Sequence, residues 1–152
     1  MVQIKCGFDS GPQGSGSELL VLNGPTLLVD IGFDPNYTPT AKGAPAAGIR
    51  MLPALVDTGA TESCIDNLLA SSLKLPIVDR RAVSGSAGSH MANVYLAQVH
   101  VPTLNWTIYG AFTGVDLAAG GQMLSALIGR TFLRHFTMTY EGRTGTVTIS
   151  NE

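Results

Sequence analysis

Residues 49–60 read Ile-Arg-Met-Leu-Pro-Ala-Leu-Val-Asp-Thr-Gly-Ala. The first eight are apolar enough for a strand, and Pro53 within them predicts an edge or a bulge, because proline cannot donate to a ladder. The strand delivers the chain to Asp57-Thr58-Gly59-Ala60. An aspartate at the end of a packed strand is held by the scaffold yet presented on a loop. Gly59 suits a tight turn or a close backbone approach. Thr58 brings a hydroxyl that can both donate and accept. The pattern suits acid–base chemistry, although any Asp-Gly step can equally be a turn.

Outward from that stretch the pattern is mostly β. Thr26–Phe33 alternates and predicts a strand. Residues 34–48 are rich in Pro, Ala and Gly without periodicity, and predict a surface loop. Glu62–Leu73 predicts a helix, with Ile65, Leu68, Leu69 and Leu73 on one face and Pro76 beyond its end. Val78–Ala82 and Met91–Val101 read as the arms of a hairpin whose tip is Ser84-Gly85-Ser86-Ala87-Gly88-Ser89. Leu104–Phe112 and Leu124–Gly129 predict further strands, separated by a Gly/Ala loop at 116–122. Arg130–His135 predicts a short helical turn, and Phe136–Tyr140 with Thr146–Ser150 a C-terminal hairpin. Trp106 falls within a strand and belongs to a core or an interface. Residues 1–18 read as a flexible N-terminal arm, also compatible with a domain trimmed from a longer chain, and 19–152 as one domain. The fold class is all-β, with one helix after the aspartate loop and a short C-terminal helical turn.

Composition narrows the function. The chain has 152 residues, a net charge of -2 and 13% charged residues. One domain is expected, and no basic stripe points to nucleic acid. No apolar stretch approaches the ~20 residues that span a bilayer. The N-terminus has no apolar signal-like segment, and Cys6 and Cys64 read as free thiols; together these favour a cytoplasmic setting. His90, His100 and His135 are scattered, so no metal site and no cofactor are expected.

One carboxylate does not complete an acid–base pair for peptide hydrolysis: one group must activate water while another supplies a proton. Asp9-Ser10-Gly11 is a possible internal partner, but Pro12, Gln13 and Gly14 follow it where a supporting helix would be needed. The second aspartate is therefore expected from a second copy of the chain, through a two-fold axis.

The order of apolar strand, Asp57-Thr58-Gly59-Ala60, glycine-tipped hairpin and Ala126-Leu-Ile-Gly-Arg-Thr-Phe-Leu133 resembles the retropepsin-like aspartic proteases. It is most similar to the retroviral-protease-like domain of the DNA-damage-inducible proteins. The resemblance runs from about Leu27 to Ile149 and implies the acid protease fold with one lobe per chain. It implies a homodimer that hydrolyses peptide or protein substrates, with Asp57 catalytic. Thr58 would grip across the dimer, and Gly59 and Ala60 would line the substrate backbone. Ser84, Gly85, Ser86, Ala87, Gly88 and Ser89 would form a flap, with His90 or Met91 standing in for an aromatic tip. Ile128, Gly129 and Arg130 would brace core and interface. In viral relatives an acidic residue two places after the motif glycine pairs with the arginine. Here that place is Thr61, followed by Glu62, so Arg130 either reaches Glu62 or does something else. A non-catalytic dimerisation or peptide-binding module on the same fold is the alternative.

Overall fold

The computed structural model describes residues 1–40, 43–46, 48–85 and 88–152. Among the described residues strands make up 47% and helices, a 3-10 turn at Pro102–Leu104 included, 14%, which bears out the all-β class. The strands are β1 (Gln3–Lys5), β2 (Thr26–Gly32), β3 (Ile49–Val56), β4 (Cys64–Asp66), β5 (Ile77–Gly85), β6 (Gly88–Val101), β7 (Trp106–Val115), β8 (Ala126–Ile128), β9 (Thr137–Glu141) and β10 (Thr146–Ser150). The helices are α1 (Gly16–Asn23), α2 (Asn67–Ser72) and α3 (Arg130–Leu133).

The larger sheet runs β2-β3-β8-β4-β7-β6-β5, and β2 also pairs with β6. That extra pairing, Asp30 to His100 and Gly32 to Gln98, closes six strands into a ring and leaves β5 attached outside it. Alternation puts Val29, Ile31, Ala54, Val56, Ile65, Val99 and Ile128 inside, each 4% exposed or less. β1, β10 and β9 form a smaller antiparallel sheet, whose Ile4, Val147 and Ile149 join the same core. Phe132 of α3 fills that core beside Phe136, 4.7 Å away between ring centroids, and Trp106, 6.4 Å away. Trp106 is thus a half-buried core residue, as expected.

Three local expectations are corrected. Residues 1–18 do not form a loose arm. β1 pairs with β10, Cys6 is buried, and the Cys6 and Phe8 amides donate to Val147 and Gly145 at 2.9 and 2.8 Å. α1 then begins at Gly16, where the Ser15 hydroxyl accepts the Glu18 amide at 3.1 Å. The helix expected over 62–73 starts only at Asn67. Ile65 is buried in β4, Asp66 caps α2, and Leu68 is exposed, so the spacing of four apolar residues straddled a strand and a helix. Pro53 marks no edge strand, because β3 pairs with both β2 and β8, and the bulge it suggested lies just upstream. The β2–β3 register shifts between Val29 and Ile31, where Met51 takes φ 60° and donates its amide to the Asp30 carboxylate at 3.0 Å. The hairpins and the loop over the described part of 34–48 fall where expected.

Candidate active site

Asp57 leaves the ring at the end of β3. Val56 pairs with Ile128 of the parallel strand β8, and the Asp57 amide extends that ladder by donating to the Ile128 carbonyl at 2.9 Å. Because strand side chains alternate, buried Ala54 and Val56 put Leu55 and Asp57 on the opposite face. Asp57 is half-buried. One of its oxygens accepts the Gly59 amide at 2.9 Å, and its carbonyl accepts the Ala60 amide at 3.2 Å. The two bonds fold 57–60 into a turn around the carboxylate. Gly59 earns its place by proximity rather than by a left-handed backbone: a Cβ there would sit 3.1 Å from the Asp57 carboxylate oxygen. Thr58 is exposed, and Ala60 is half-buried.

A distant segment locks this turn. The amides of Arg130 and Thr131 donate to the carbonyls of Ala60 and Thr61 at 2.9 and 3.0 Å. The Arg130 guanidinium donates to the Thr58 carbonyl at 2.8 Å and to the Thr61 hydroxyl at 3.1 Å. Gly129 donates its amide to the Ser63 hydroxyl at 3.1 Å, and a Cβ on it would lie 2.5 Å from the Glu62 carbonyl oxygen. Only glycine lets the two segments approach so closely. Ile128, fully buried, anchors the bracing segment in the core. The structure thus brings Asp57, Thr58, Gly59, Ala60, Ile128, Gly129 and Arg130 together.

Arg130 makes no carboxylate pair among the described residues; Glu62 instead pairs with Arg81 of β5 at 3.4 Å, both side chains about half exposed. The pair links the β5–β6 hairpin to the loop that follows Asp57. In that hairpin Ser84 pairs with Ser89 and Gly85 with Gly88, while Ser86 and Ala87, expected at its tip, lie outside the described residues. His90 and Met91 are exposed on its β6 arm. Asp9-Ser10-Gly11 lies elsewhere, next to the smaller sheet. There the Ser10 hydroxyl accepts the Gly16 amide at 2.9 Å and Gly11 bridges to Gly14, so the tripeptide forms a local turn.

Both cysteines are free. Burial pushes the Cys6 thiol from 9.0 up to about 11. The Cys64 thiol is raised too, first by burial and then by the negative charges of Glu62 and Asp57. An apolar cleft on the Leu55 face is walled by Leu19 and Leu22 of α1, Pro53 and Leu55 of β3, and Met123 and Leu124 of the loop before β8. No group of three or more His, Cys, Asp or Glu side chains able to hold a metal ion occurs among the described residues. Among them, too, no helix is long and apolar enough to cross a membrane.

Sequence reasoning passed over Asp66 and Asn67. Asp66 is 3% exposed and its carboxylate is satisfied by the backbone amides of Leu69, Leu117 and Ala118. An Asp directly before Asn-Leu-Leu is a legible helix cap; its bonds to residues 117 and 118 are not legible from local sequence. No protein-family model matches this chain, and a comparison with curated proteins finds no relative of it.

Proposed function

We propose that this chain is one half of a homodimeric aspartic endopeptidase of the retropepsin-like kind, in which Asp57 and Asp57 of the partner subunit form the catalytic pair. The observation that carries the reading is the cross-bracing of the Asp57 turn. The Arg130 guanidinium and the Gly129 backbone immobilise 58–63, while the carboxylate itself makes a hydrogen bond to Gly59. A simple surface turn needs no such support. A carboxylate that must meet a reacting water in fixed geometry does.

Two carboxylates in contact cannot both ionise easily, so the pair holds one proton between them. The ionised Asp57 takes a proton from water, and the resulting hydroxide oxygen attacks the peptide carbonyl carbon. The protonated Asp57 of the other subunit donates to the carbonyl oxygen. Collapse of the tetrahedral species returns a proton to the leaving nitrogen and breaks the C–N bond. The substrate would lie extended, its backbone paired strand-fashion and its side chains in pockets such as the apolar cleft beside Leu55.

A peptide library and a statine-type transition-state mimic test the reading. Wild-type protein should cleave and be inhibited, and Asp57→Asn should do neither while keeping its fold and dimer. Full-rate cleavage by that variant sinks the assignment. Binding of the mimic with no turnover by wild type points instead to a peptide-binding module.

A further inference from the structure

Two parts of the molecule that stand off the ring share one attachment. The first is the β5–β6 hairpin: residues Gly88–Asn93 of β6 pair with β5 alone, and β6 joins β7 only from Val94 onward. The hairpin therefore projects from the ring at Val94–Tyr95. The second is the stretch from Asp116 to Ser125, which carries Met123, 90% exposed, and Leu124 to the cleft beside Leu55 and forms one of its walls.

The hairpin and the loop are both tied at their roots to Asp66 and Asn67, where β4 gives way to α2. One carboxylate oxygen of Asp66 accepts the amides of Leu117 and Ala118 at 2.9 and 3.0 Å, and the other accepts Leu69 of α2 at 3.1 Å. Asn67 donates its side-chain amide to the Asp116 carboxylate at 2.8 Å and accepts the Tyr95 hydroxyl at 2.9 Å. Tyr95 is buried at the root of the hairpin. Gly114 makes room for the arrangement: a Cβ there would fall 2.1 Å from the Asn67 side-chain oxygen and 2.6 Å from the Tyr95 ring. A helix cap alone would use the Leu69 bond. The bonds to Leu117, Ala118, Asp116 and Tyr95 are surplus to that task and run to the loop and to the hairpin root.

We infer that Asp66 and Asn67 are positioning residues that hold the 116–125 loop, and with it the Met123–Leu124 wall of the cleft, at a fixed place relative to the hairpin root, and so set the size of substrate side chain accepted next to the scissile bond. This rests on the peptidase reading, but its first measurement does not. Asp66→Ser keeps a cap for α2, since serine caps helices well, but is too short to hold the loop as well. Backbone amides of Leu117 and Ala118 should then exchange about tenfold faster or more, the effect of losing a hydrogen bond to a charged group. In cleavage assays, the preference for Leu over Ala next to the scissile bond should fall by a similar factor, carried mainly by KM, with melting temperature lowered by roughly 3–6 °C. Tyr95→Phe should loosen the hairpin root and raise KM while leaving the Leu117 and Ala118 amides protected. Unchanged exchange in Asp66→Ser overturns the clamp, as does slowing that is uniform on every peptide. Should Asp66→Ser fail to fold, Tyr95→Phe and Asp116→Ala decide, and an unaltered Leu-to-Ala preference in both overturns it. A wild type that cleaves nothing defeats the peptidase reading and leaves the exchange result standing.

Discussion

The chain contains two Asp-(Ser/Thr)-Gly tripeptides, and the fold treats them differently. Around Asp9, the bonds are short-range: Ser10 reaches Gly16, and Gly11 reaches Gly14. Around Asp57, the turn is gripped by Gly129, Arg130 and Thr131, which arrive from the other end of the chain. A turn held by its own neighbours costs little to form and specifies little. A turn held by a distant segment exists only once the whole domain has folded, and its geometry inherits the rigidity of the core. The tripeptide is thus only a prompt; the support around it carries the meaning.

The largest break in that symmetry should come from the carboxylates. Asp57→Asn is expected to cut kcat by roughly 10²–10⁴-fold, the usual worth of a positioned acid–base group, whereas Asp9→Asn should leave peptide cleavage within twofold (~RT ln 2, a few tenths of a kcal/mol). Steady-state assays on the two variants side by side decide it. Equal loss in both would mean that the supports do not distinguish the two turns.

Next come the glycines that permit each approach. A Cβ on Gly129 would lie 2.5 Å from the Glu62 carbonyl oxygen, and one on Gly16 would lie 2.4 Å from the carbonyl oxygens of Phe8 and Thr144. Each alanine substitution should cost about 3 kcal/mol and lower Tm by roughly 6–12 °C for a chain of this length. The two should part in activity. At a temperature where both are folded, Gly16→Ala should retain kcat and Gly129→Ala should lose most of it.

The cysteines near the two turns supply a finer contrast. Cys64 feels the Asp57 charge, so Asp57→Asn should lower its pKa and speed its alkylation near pH 8, while Asp9→Asn should leave Cys6 labelling unchanged. For stability, the sign follows from burial. Unfolded Cys6 ionises near 9.0 and folded Cys6 near 11, so the fold is favoured while the thiol is protonated, and stability falls as pH climbs from 9 through 11. Cys6→Ala should flatten that decline in urea titrations relative to wild type. The smallest effect belongs to Arg81 and Glu62, both about half exposed. Glu62→Gln should change stability by no more than about 1 kcal/mol, and that difference should shrink in high salt.

Much of this architecture was legible because its signals are local. β2 alternates, β3 is an apolar run, the hairpin arms flank a glycine-rich tip, and the Asp57 turn sits between that run and an amphipathic one. The Gly129–Arg130 segment could be matched to that turn by resemblance, although its partners could not: Arg130 takes carbonyl and hydroxyl oxygens rather than Glu62. What escaped was short or non-local. β1 has three residues and is stabilised only by β10 at the far end of the chain. α1 buries Leu20 but leaves Val21 and Leu22 exposed, so it lacks a clean apolar face; its legible signal was Ser15 followed three residues later by Glu18. Ile65 mimicked helical spacing while sitting in β4, and Asp66 stops that pattern by capping the helix after it.

The closure of the larger sheet by the β2–β6 pairing has a kinetic consequence. A ring of hydrogen-bonded strands has no free edge to peel from, so opening any one of its ladders requires opening the domain. Slow amide exchange at the global unfolding rate is therefore expected for β2, β3, β8 and the inner half of β6. Fast, sub-global opening is confined to what hangs outside the ring: the β5 arm with the outer half of β6, the 116–125 loop, and α1. The topology thus separates a slowly exchanging floor, which holds Asp57, from faster-opening parts around it; on the peptidase reading, those are the parts a peptide would have to push aside to enter and leave.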